Sequence, residues 1–167
     1  MPLTDQPINV ASAEILRQLD TIEPGAWGIP CTIVLFDGQS FEFCLAWENP
    51  RYGDAGAWIN PNAVAFLTEC PKRMPAKFAR LIKGAGESGM GYHIYVVRLS
   101  DGNSFVHVAA NLAIDLVDLP AGYTQKDIVG VEPHEGRERS KTEGYRRLSG
   151  KGASLEFARP GMRNAPA

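Results

Sequence analysis

Two stretches of the chain, residues 32–43 and 96–107, have the same order of apolar and polar positions. In each stretch an apolar run is followed by an Asp-Gly pair, one polar residue, a Ser and a Phe. The matching positions are Asp37, Gly38, Ser40 and Phe41 in the first stretch and Asp101, Gly102, Ser104 and Phe105 in the second. An Asp-Gly pair between apolar segments is a strong signal for a β-hairpin. The pattern therefore predicts two related β units, each built around a hairpin.

The register of the first hairpin follows from keeping each face uniform, because a shift of one residue moves every side chain to the opposite face. A turn that ends with Gly38 in a left-handed bulge pairs Ile33 with Phe41 and satisfies this condition. The same register in the second hairpin predicts three pairs: Val97 with Phe105, Tyr95 with His107, and Arg98 with Ser104.

The three cysteines, Cys31, Cys44 and Cys70, have no CxxC spacing, which argues against a cysteine-rich zinc site and a thioredoxin-like motif. The bulged register pairs Cys31 with Phe43 and places Cys31 and Cys44 on opposite faces, where they cannot form a disulfide. We expect buried free thiols, with no metal and no cofactor.

Helical patterns precede and separate the hairpins. Ser12 is a suitable N-cap for a first helix. Its inward face is predicted to contain Ile15, Leu16 and Leu19. Residues 72–83 have the pattern of a linking helix that is opened by Pro75. After the second hairpin, strands are predicted at residues 115–119 and 128–131.

Residues 62–71 resemble residues 111–120, with Asn, Leu, an acidic residue and Pro in matching places. The repeat is therefore predicted to extend beyond the hairpins, and residues 44–61 are then an insertion in the first copy. The insertion is rich in Gly, Pro, Asn and Asp and contains three aromatic residues, Trp47, Tyr52 and Trp58. It is predicted either to fold back over the core as a lid or to present an aromatic platform to a partner.

These patterns together predict an α+β protein that is mainly β, with two small units arranged as SH3-like or Sm-like barrels or as packed sheets. The first unit, with its N-terminal helix and the linking helix, is assigned to residues 1–83, and the second unit to residues 84–132. Residues 133–167 have low hydrophobicity and many Gly, Arg and Ser, which predicts a flexible basic tail.

The composition, 44% hydrophobic and 22% charged, is that of an ordinary globular protein. The chain contains no apolar run of membrane-spanning length and no secretory signal pattern at its start, so we expect a cytoplasmic protein without a membrane partner. The net charge of −2 hides an asymmetry. Acidic residues outnumber basic ones in residues 1–132, whereas basic residues predominate in residues 133–167.

Two basic clusters are candidate sites for anions or nucleic acid. In the linking helix, Arg73, Lys77 and Arg80 have the spacing of one helical face. In the tail, a second cluster surrounds Tyr145. Its candidate contact residues are Arg137, Arg139, Arg146 and Arg147, and Lys141 and Lys151 add to its charge. The alternative for the helix is a solvated face, and the alternative for the tail is a segment that wraps a protein partner.

His93, Tyr95 and His107 fall on one face of the second hairpin, where they could form an acid–base or metal site. However, His107 occupies the position that Phe43 holds in the first copy, which favours a buried, hydrogen-bonded core residue. We find no spacing that completes a catalytic triad or a metal-ligand set, so the sequence gives no positive evidence for catalysis.

Gly84, Gly86 and Gly89 match the pattern GxGxxG. In dinucleotide-binding proteins this pattern follows a strand and opens a helix, whereas here it follows a helix and precedes a strand. It therefore predicts a flexible connection between the two β units.

The leading functional hypothesis is a non-enzymatic interaction or assembly module, whose partner is another protein or a second copy of the chain. The first alternative is a nucleic-acid-binding protein that uses the basic helix and tail. The second is a small-molecule enzyme with a pocket near His93 and His107.

Overall fold

The computed structural model describes residues 10–48, 57–148 and 152–160 of the 167-residue chain. These residues form a mixed α+β fold that is mainly β and has two separate sheets, which confirms the predicted fold class in its coarse form. Over the described ranges, neither sheet closes into a barrel. None of the helices in these ranges is long and apolar enough to cross a membrane.

The first sheet has five strands in the order β3-β8-β2-β1-β4. Its strands are β1 (Ile29–Leu35), β2 (Ser40–Glu48), β3 (Ala57–Ile59), β4 (Val64–Glu69) and β8 (Gly152–Phe157). β1 is antiparallel to β2 and β4, whereas β8 is parallel to β2 and β3. Helix α1 (Ala13–Leu19) packs beside β4, and Ser12 Oγ accepts a hydrogen bond from the Ile15 N–H at 3.3 Å. The buried face of α1 is the predicted one: Ile15, Leu16 and Leu19.

The second sheet has three strands in the order β6-β5-β7, namely β5 (Tyr92–Leu99), β6 (Ser104–Ala110) and β7 (Ile128–Pro133). Helix α2 (Ala76–Ala85) packs against β7, and it begins directly after Pro75 rather than at residue 72. A short helix, α3 (Arg137–Thr142), packs against β5 and β6.

The hairpin registers are largely those predicted. Ile33 lies opposite Phe41, and the three predicted pairs of the second hairpin are all present. Cys31, however, lies opposite Cys44 and not Phe43, because the register of β1 and β2 shifts between Cys31 and Ile33. The extra residue on β2 is a bulge that reverses the side-chain alternation, so Phe43 packs on the opposite face of the sheet from Cys44.

Each hairpin is completed by a later strand that pairs with its first strand. In the first sheet, Leu35 lies opposite Val64, and in the second, Leu99 lies opposite Ile128, with a register shift directly before both leucines. The predicted match of residues 62–71 with residues 111–120 is therefore wrong.

No strand forms at residues 115–119 in the structure. This segment buries Val117 and Leu119 in the second core, whereas Leu116 is buried against Phe43 and Leu45 of the first sheet. The strand predicted at residues 128–131 is present as β7.

The interpretation of residues 133–167 as a flexible tail is corrected by the structure over residues 133–148 and 152–160. Residues 137–142 form α3, and β8 lies inside the first sheet between β3 and β2. Leu155 and Phe157 are fully buried in the core beneath α1. Alternating apolar residues at 153, 155 and 157 supply the contacts that the low average hydrophobicity of this segment hides.

Candidate functional site

The first sheet presents exposed aromatic side chains at the turn end of its first hairpin. Phe36 is 76% exposed and Phe66 is 49% exposed. Phe66 lies opposite Val34 in the register, and the Phe36 N–H donates to the Ala63 carbonyl at 3.0 Å, so both residues belong to the same end of β1 and β4. Ile33 and Leu67 face the core beneath α1. Val34 and Phe66 alternate with them and therefore face away from α1.

The same face is covered at its other end. There, Phe43 and Leu45 form a cluster with Cys70 and Leu116, and Leu148 packs against it. Among the described aromatic residues of this face, the most exposed ones, Phe36 and Phe66, therefore lie at its turn end.

The charges of the first sheet are all of one sign. Strands β1, β2, β3, β4 and β8 and the turn at residues 36–39 contain no Lys or Arg. Their acidic residues are Asp37, Glu42, Glu48, Glu69 and Glu156. Asp37 and Glu42 are exposed and lie nearest to the two phenylalanines along the hairpin. We call the group Val34, Phe36, Asp37, Glu42 and Phe66 the acidic aromatic patch.

The predicted basic face of the linking helix is not formed. Arg73 precedes α2, is only 1% exposed, and donates to Glu69 Oε1 at 3.0 Å through Nη1. Lys77 and Arg80 lie on α2 and are exposed. Because the helix starts at residue 76, its spacing does not extend to Arg73, and the predicted three-residue face is wrong.

The end of α2 instead holds the loop that leads into β1. Lys83 Nζ donates to the Ala26 carbonyl at 3.0 Å and lies 3.6 Å from the centre of the Trp27 ring. Arg80 Nη2 lies 3.5 Å from the Pro24 carbonyl oxygen. These side chains stabilise the fold as well as carrying charge.

Three of the four predicted tail arginines contact groups of their own chain. Arg137 Nη2 donates to the Ser88 carbonyl at 2.8 Å, and Arg139 Nε lies 3.2 Å from Glu143 Oε2. Arg146 Nε donates to the Asp118 carbonyl at 2.7 Å, and its Nη2 lies 3.1 Å from the Asp118 carboxylate. Arg147 is exposed. Over the described residues, most of the charge that predicted a phosphate-binding tail is thus engaged within the chain.

The structure does bring Arg139, Tyr145 and Arg146 to one place. They line a shallow cavity of about 410 Å³ against the start of β6. The other lining residues are Ser104, Phe105, Val106, Pro120, Glu143 and Gly144.

The aromatic insertion does not form one described surface. Trp47 lies on β2 and packs, half-buried, against the cluster around Phe43 and Leu45. Trp58 belongs to β3, and Tyr52 lies outside the described residues. For Trp47, the packing is that of a cover rather than of an exposed platform.

His107 is a core residue, as its position in the repeat predicts. It is fully buried, its Nδ1 lies 3.0 Å from the Tyr95 hydroxyl, and its Nε2 accepts the Asp118 N–H at 3.0 Å. Burial lowers the pKa of His107 to about 3, with a further contribution from the charge of Arg146. Both ring nitrogens are engaged within the protein, so His107 is not available to a substrate.

His93 is also buried, and its Nε2 lies 3.0 Å from Asn111 Oδ1. Asn111 Nδ2 donates to Glu87 Oε1 at 2.5 Å, and Glu87 Oε2 accepts the Gly91 N–H at 2.9 Å. This chain of hydrogen bonds fixes the loop between α2 and β5. The loop that contains the GxGxxG pattern is therefore tied to Asn111 through the side chain of Glu87.

The same loop forms a Ser–His contact that the sequence did not indicate. Ser88 Oγ lies 2.8 Å from His134 Nδ1, and Arg137 Nη2 lies 3.4 Å from the same nitrogen. His134 has a positive φ of 70°, a value that non-glycine residues adopt infrequently. Nothing in the sequence places Ser88 near His134, because the two are far apart along the chain and share no motif. Over the described ranges, no group of three His, Cys, Asp or Glu residues is arranged to hold a metal ion.

Comparisons of the chain with protein-family models, with curated proteins and with solved structures give no match.

Proposed function

We propose that this protein is an interaction module whose acidic aromatic patch binds a basic segment of another protein. The observation that carries the proposal is the pair of exposed phenylalanines, Phe36 and Phe66, on a sheet whose strands contain acidic but no basic residues. Exposed aromatic residues are frequent anchors of protein interfaces. Clustered exposed apolar side chains also mark a surface that another molecule covers.

The acidic residues of the patch favour a partner with basic side chains. Lys and Arg side chains bind aromatic faces through cation–π contacts, and their ammonium or guanidinium groups pair with carboxylates such as Asp37 and Glu42. An acidic surface also raises the association rate of a basic partner and repels an acidic one. A segment that alternates Lys or Arg with aliphatic residues would fit both properties of the patch.

This proposal places the contact on the open face of the first sheet, whereas the sequence directed attention to the insertion and the tail. The described part of the tail is held by its own chain, through β8 and through Arg146.

The test is an array of synthetic peptides that combine Lys or Arg with aliphatic residues at different spacings, probed with the full-length protein. A peptide that binds is then measured against Phe36→Ser/Phe66→Ser, which should weaken binding by about tenfold or more, since an interface anchor contributes about 2 kcal/mol. The matched control is Met90→Ser, because Met90 is 96% exposed but belongs to the loop before β5. Binding should also weaken as salt is raised.

Equal binding by the wild-type protein and the double variant would contradict the proposal, as would a stronger effect of Met90→Ser. Preference for acidic peptides or for nucleic acid would contradict the charge argument and would favour the basic surfaces instead.

A further inference from the structure

The network around Ser88 determines where the protons of the Ser–His pair lie. His134 Nε2 is 3.2 Å from the Ala85 carbonyl oxygen, which can only accept a hydrogen bond. In the neutral imidazole, Nε2 therefore carries the proton and Nδ1 carries the lone pair. The nearby guanidinium of Arg137 is consistent with this tautomer, because it also directs a donor at Nδ1.

The Ser88 hydroxyl is then the donor to His134. Ser88 Oγ accepts the Ile94 N–H at 2.8 Å, and its own proton points at His134 Nδ1, 2.8 Å away. The Ile94 carbonyl is the alternative acceptor, but it is farther from Ser88 Oγ, at 3.3 Å, and it already accepts the His134 N–H at 2.7 Å. A serine that donates to an imidazole lone pair is the pairing by which proteins activate a hydroxyl nucleophile.

Three further features fit a reactive site. His134 is held with its φ at 70°, and strained residues of this kind cluster at functional sites. Ser88 is half-buried in a glycine-rich loop, and a Cβ added at Gly91 would meet nothing within 4 Å, so the loop is open on that side. The loop is also fixed by Glu87 and Asn111, which keeps Ser88 in place.

We propose that Ser88 is a nucleophile for acyl transfer and His134 its general base, with small activated esters or thioesters that carry an anionic group as the substrate class. Ser88 Oγ attacks the acyl carbon while its proton passes to His134 Nδ1. The bond to the leaving oxygen or sulfur then breaks, and this atom takes the proton from His134. Water subsequently attacks the acyl carbon and gives a proton to His134 Nδ1. The bond between Ser88 Oγ and the acyl carbon then breaks, Ser88 Oγ takes this proton, and the carboxylic acid is released. Arg137, exposed beside both residues, would bind the anionic group.

The first experiment treats the full-length folded protein with a fluorescent fluorophosphonate. In this reaction the Ser88 Oγ–phosphorus bond forms, the phosphorus–fluorine bond breaks, and fluoride leaves with the bonding electrons. We expect one adduct, located on Ser88 by peptide mass spectrometry, and no adduct after heat denaturation. Ser100→Ala, which changes an exposed serine in the turn at the opposite end of β5, should be labelled as fast as the wild type.

His134→Asn is the decisive variant, because Asn tolerates a positive φ but cannot act as the base. It should lower the labelling rate by about 100-fold or more, the contribution typical of a general base, without loss of the folded circular dichroism spectrum. Ser88→Ala should abolish labelling. If Ser88→Ala does not fold, the rate ratio of wild type to His134→Asn decides the question alone.

Hydrolysis of a p-nitrophenyl ester of a dicarboxylic acid should exceed that of p-nitrophenyl acetate, and Arg137→Gln should raise KM for the anionic ester more than for the acetate. A folded wild-type protein that is not labelled would overturn the proposal. Labelling of Ser88 at the same rate in His134→Asn would overturn it too. Neither result would affect peptide binding by the acidic aromatic patch, which lies on the other sheet.

Discussion

The two hairpins share an Asp-Gly turn and a register, but different parts of the chain complete them. The first becomes the centre of a five-stranded sheet when β8, from the C-terminal part, pairs with β2 in parallel. The second stays in a three-stranded sheet, and at its β6 edge the backbone of Arg146 bonds Val106 and Val108 without forming a further strand. Similar hairpin sequences therefore do not determine how many strands the surrounding sheet has.

The cores under the two hairpins also differ in polarity. The first contains apolar residues and the thiols of Cys31 and Cys44, and burial raises the pKa of Cys44 well above its ordinary value. The second buries the ionisable groups Tyr95, His107 and Asp115. Asp115 accepts the N–H groups of Ala26, Trp27 and Gly28, and through them it fixes the loop before β1. Lowering the pH should therefore have little effect on the stability of the first core, whereas it should change the stability of the second core.

The largest expected loss of stability comes from removing the packing of β8 against the first core, which the second hairpin does not have. Phe157→Ala should destabilise the protein by about 3–5 kcal/mol, because Phe157 is fully buried in the first core and its loss leaves a cavity. Urea unfolding of the full-length protein measures the change. The control is Glu156→Ala on the neighbouring, half-exposed position, which should cost far less. A cost below about 1 kcal/mol for Phe157→Ala would show that β8 does not complete this core.

The hairpins could be predicted because their signals are local: an Asp-Gly turn and apolar alternation within twelve or so residues. β8 could not be predicted as part of the first sheet, because parallel pairing joins distant segments and leaves no turn signal. Its alternation at Ala153, Leu155 and Phe157 was visible, yet the Gly, Arg and Ser around it lowered the average hydrophobicity.

For the candidate sites too, local patterns could be predicted from the sequence, whereas contacts between distant segments could not. The match of His107 with the apolar Phe43 in the first hairpin predicted a core position, and His107 is buried although the bulge in β2 places Cys44 and not Phe43 opposite Cys31. The Ser88–His134 contact joins two loops on separate elements, and only the paired strands bring them together. The exposure of Phe36 and Phe66 likewise depends on which face α1 covers, which local sequence does not specify.

An intermediate loss of stability is expected when the pH is lowered, because the second core buries His107 in its neutral form. The pKa of His107 is lowered from 6.5 to about 3, so the unfolded chain binds more protons between these values and stability falls as the pH is lowered through this range. Between pH 7.5 and pH 4.5 this residue should cost about 2–3 kcal/mol of stability. Urea unfolding at both pH values should show a shallower pH dependence in His107→Gln than in the wild type. The same slope in both proteins would show that His107 is not the buried titrating group.

The smallest expected effect is a difference in stability between variants of the two Asp-Gly turns. Asp37 Oδ1 accepts the Gln39 N–H at 2.9 Å, and Asp101 Oδ1 accepts the Asn103 N–H at 3.0 Å. Asp101 alone of the two also accepts the Tyr123 hydroxyl, at 2.6 Å, and this bond is the main cause of the lowered pKa of Asp101.

Asp101→Ala should therefore lower Tm more than Asp37→Ala at pH 7, by a few degrees at most for exposed turns. Because the folded pKa of Asp101 is lowered, this extra stabilisation is present above the ordinary carboxyl pKa and is lost as the pH falls through the lowered value. Differential scanning calorimetry of both variants, alone and combined with Tyr123→Phe, measures the difference. The gap between the two variants should narrow in the Tyr123→Phe background, where Asp101 keeps its hydrogen bonds to Asn103. If it stays unchanged, the asymmetry of the two turns has another source than the Tyr123 hydrogen bond.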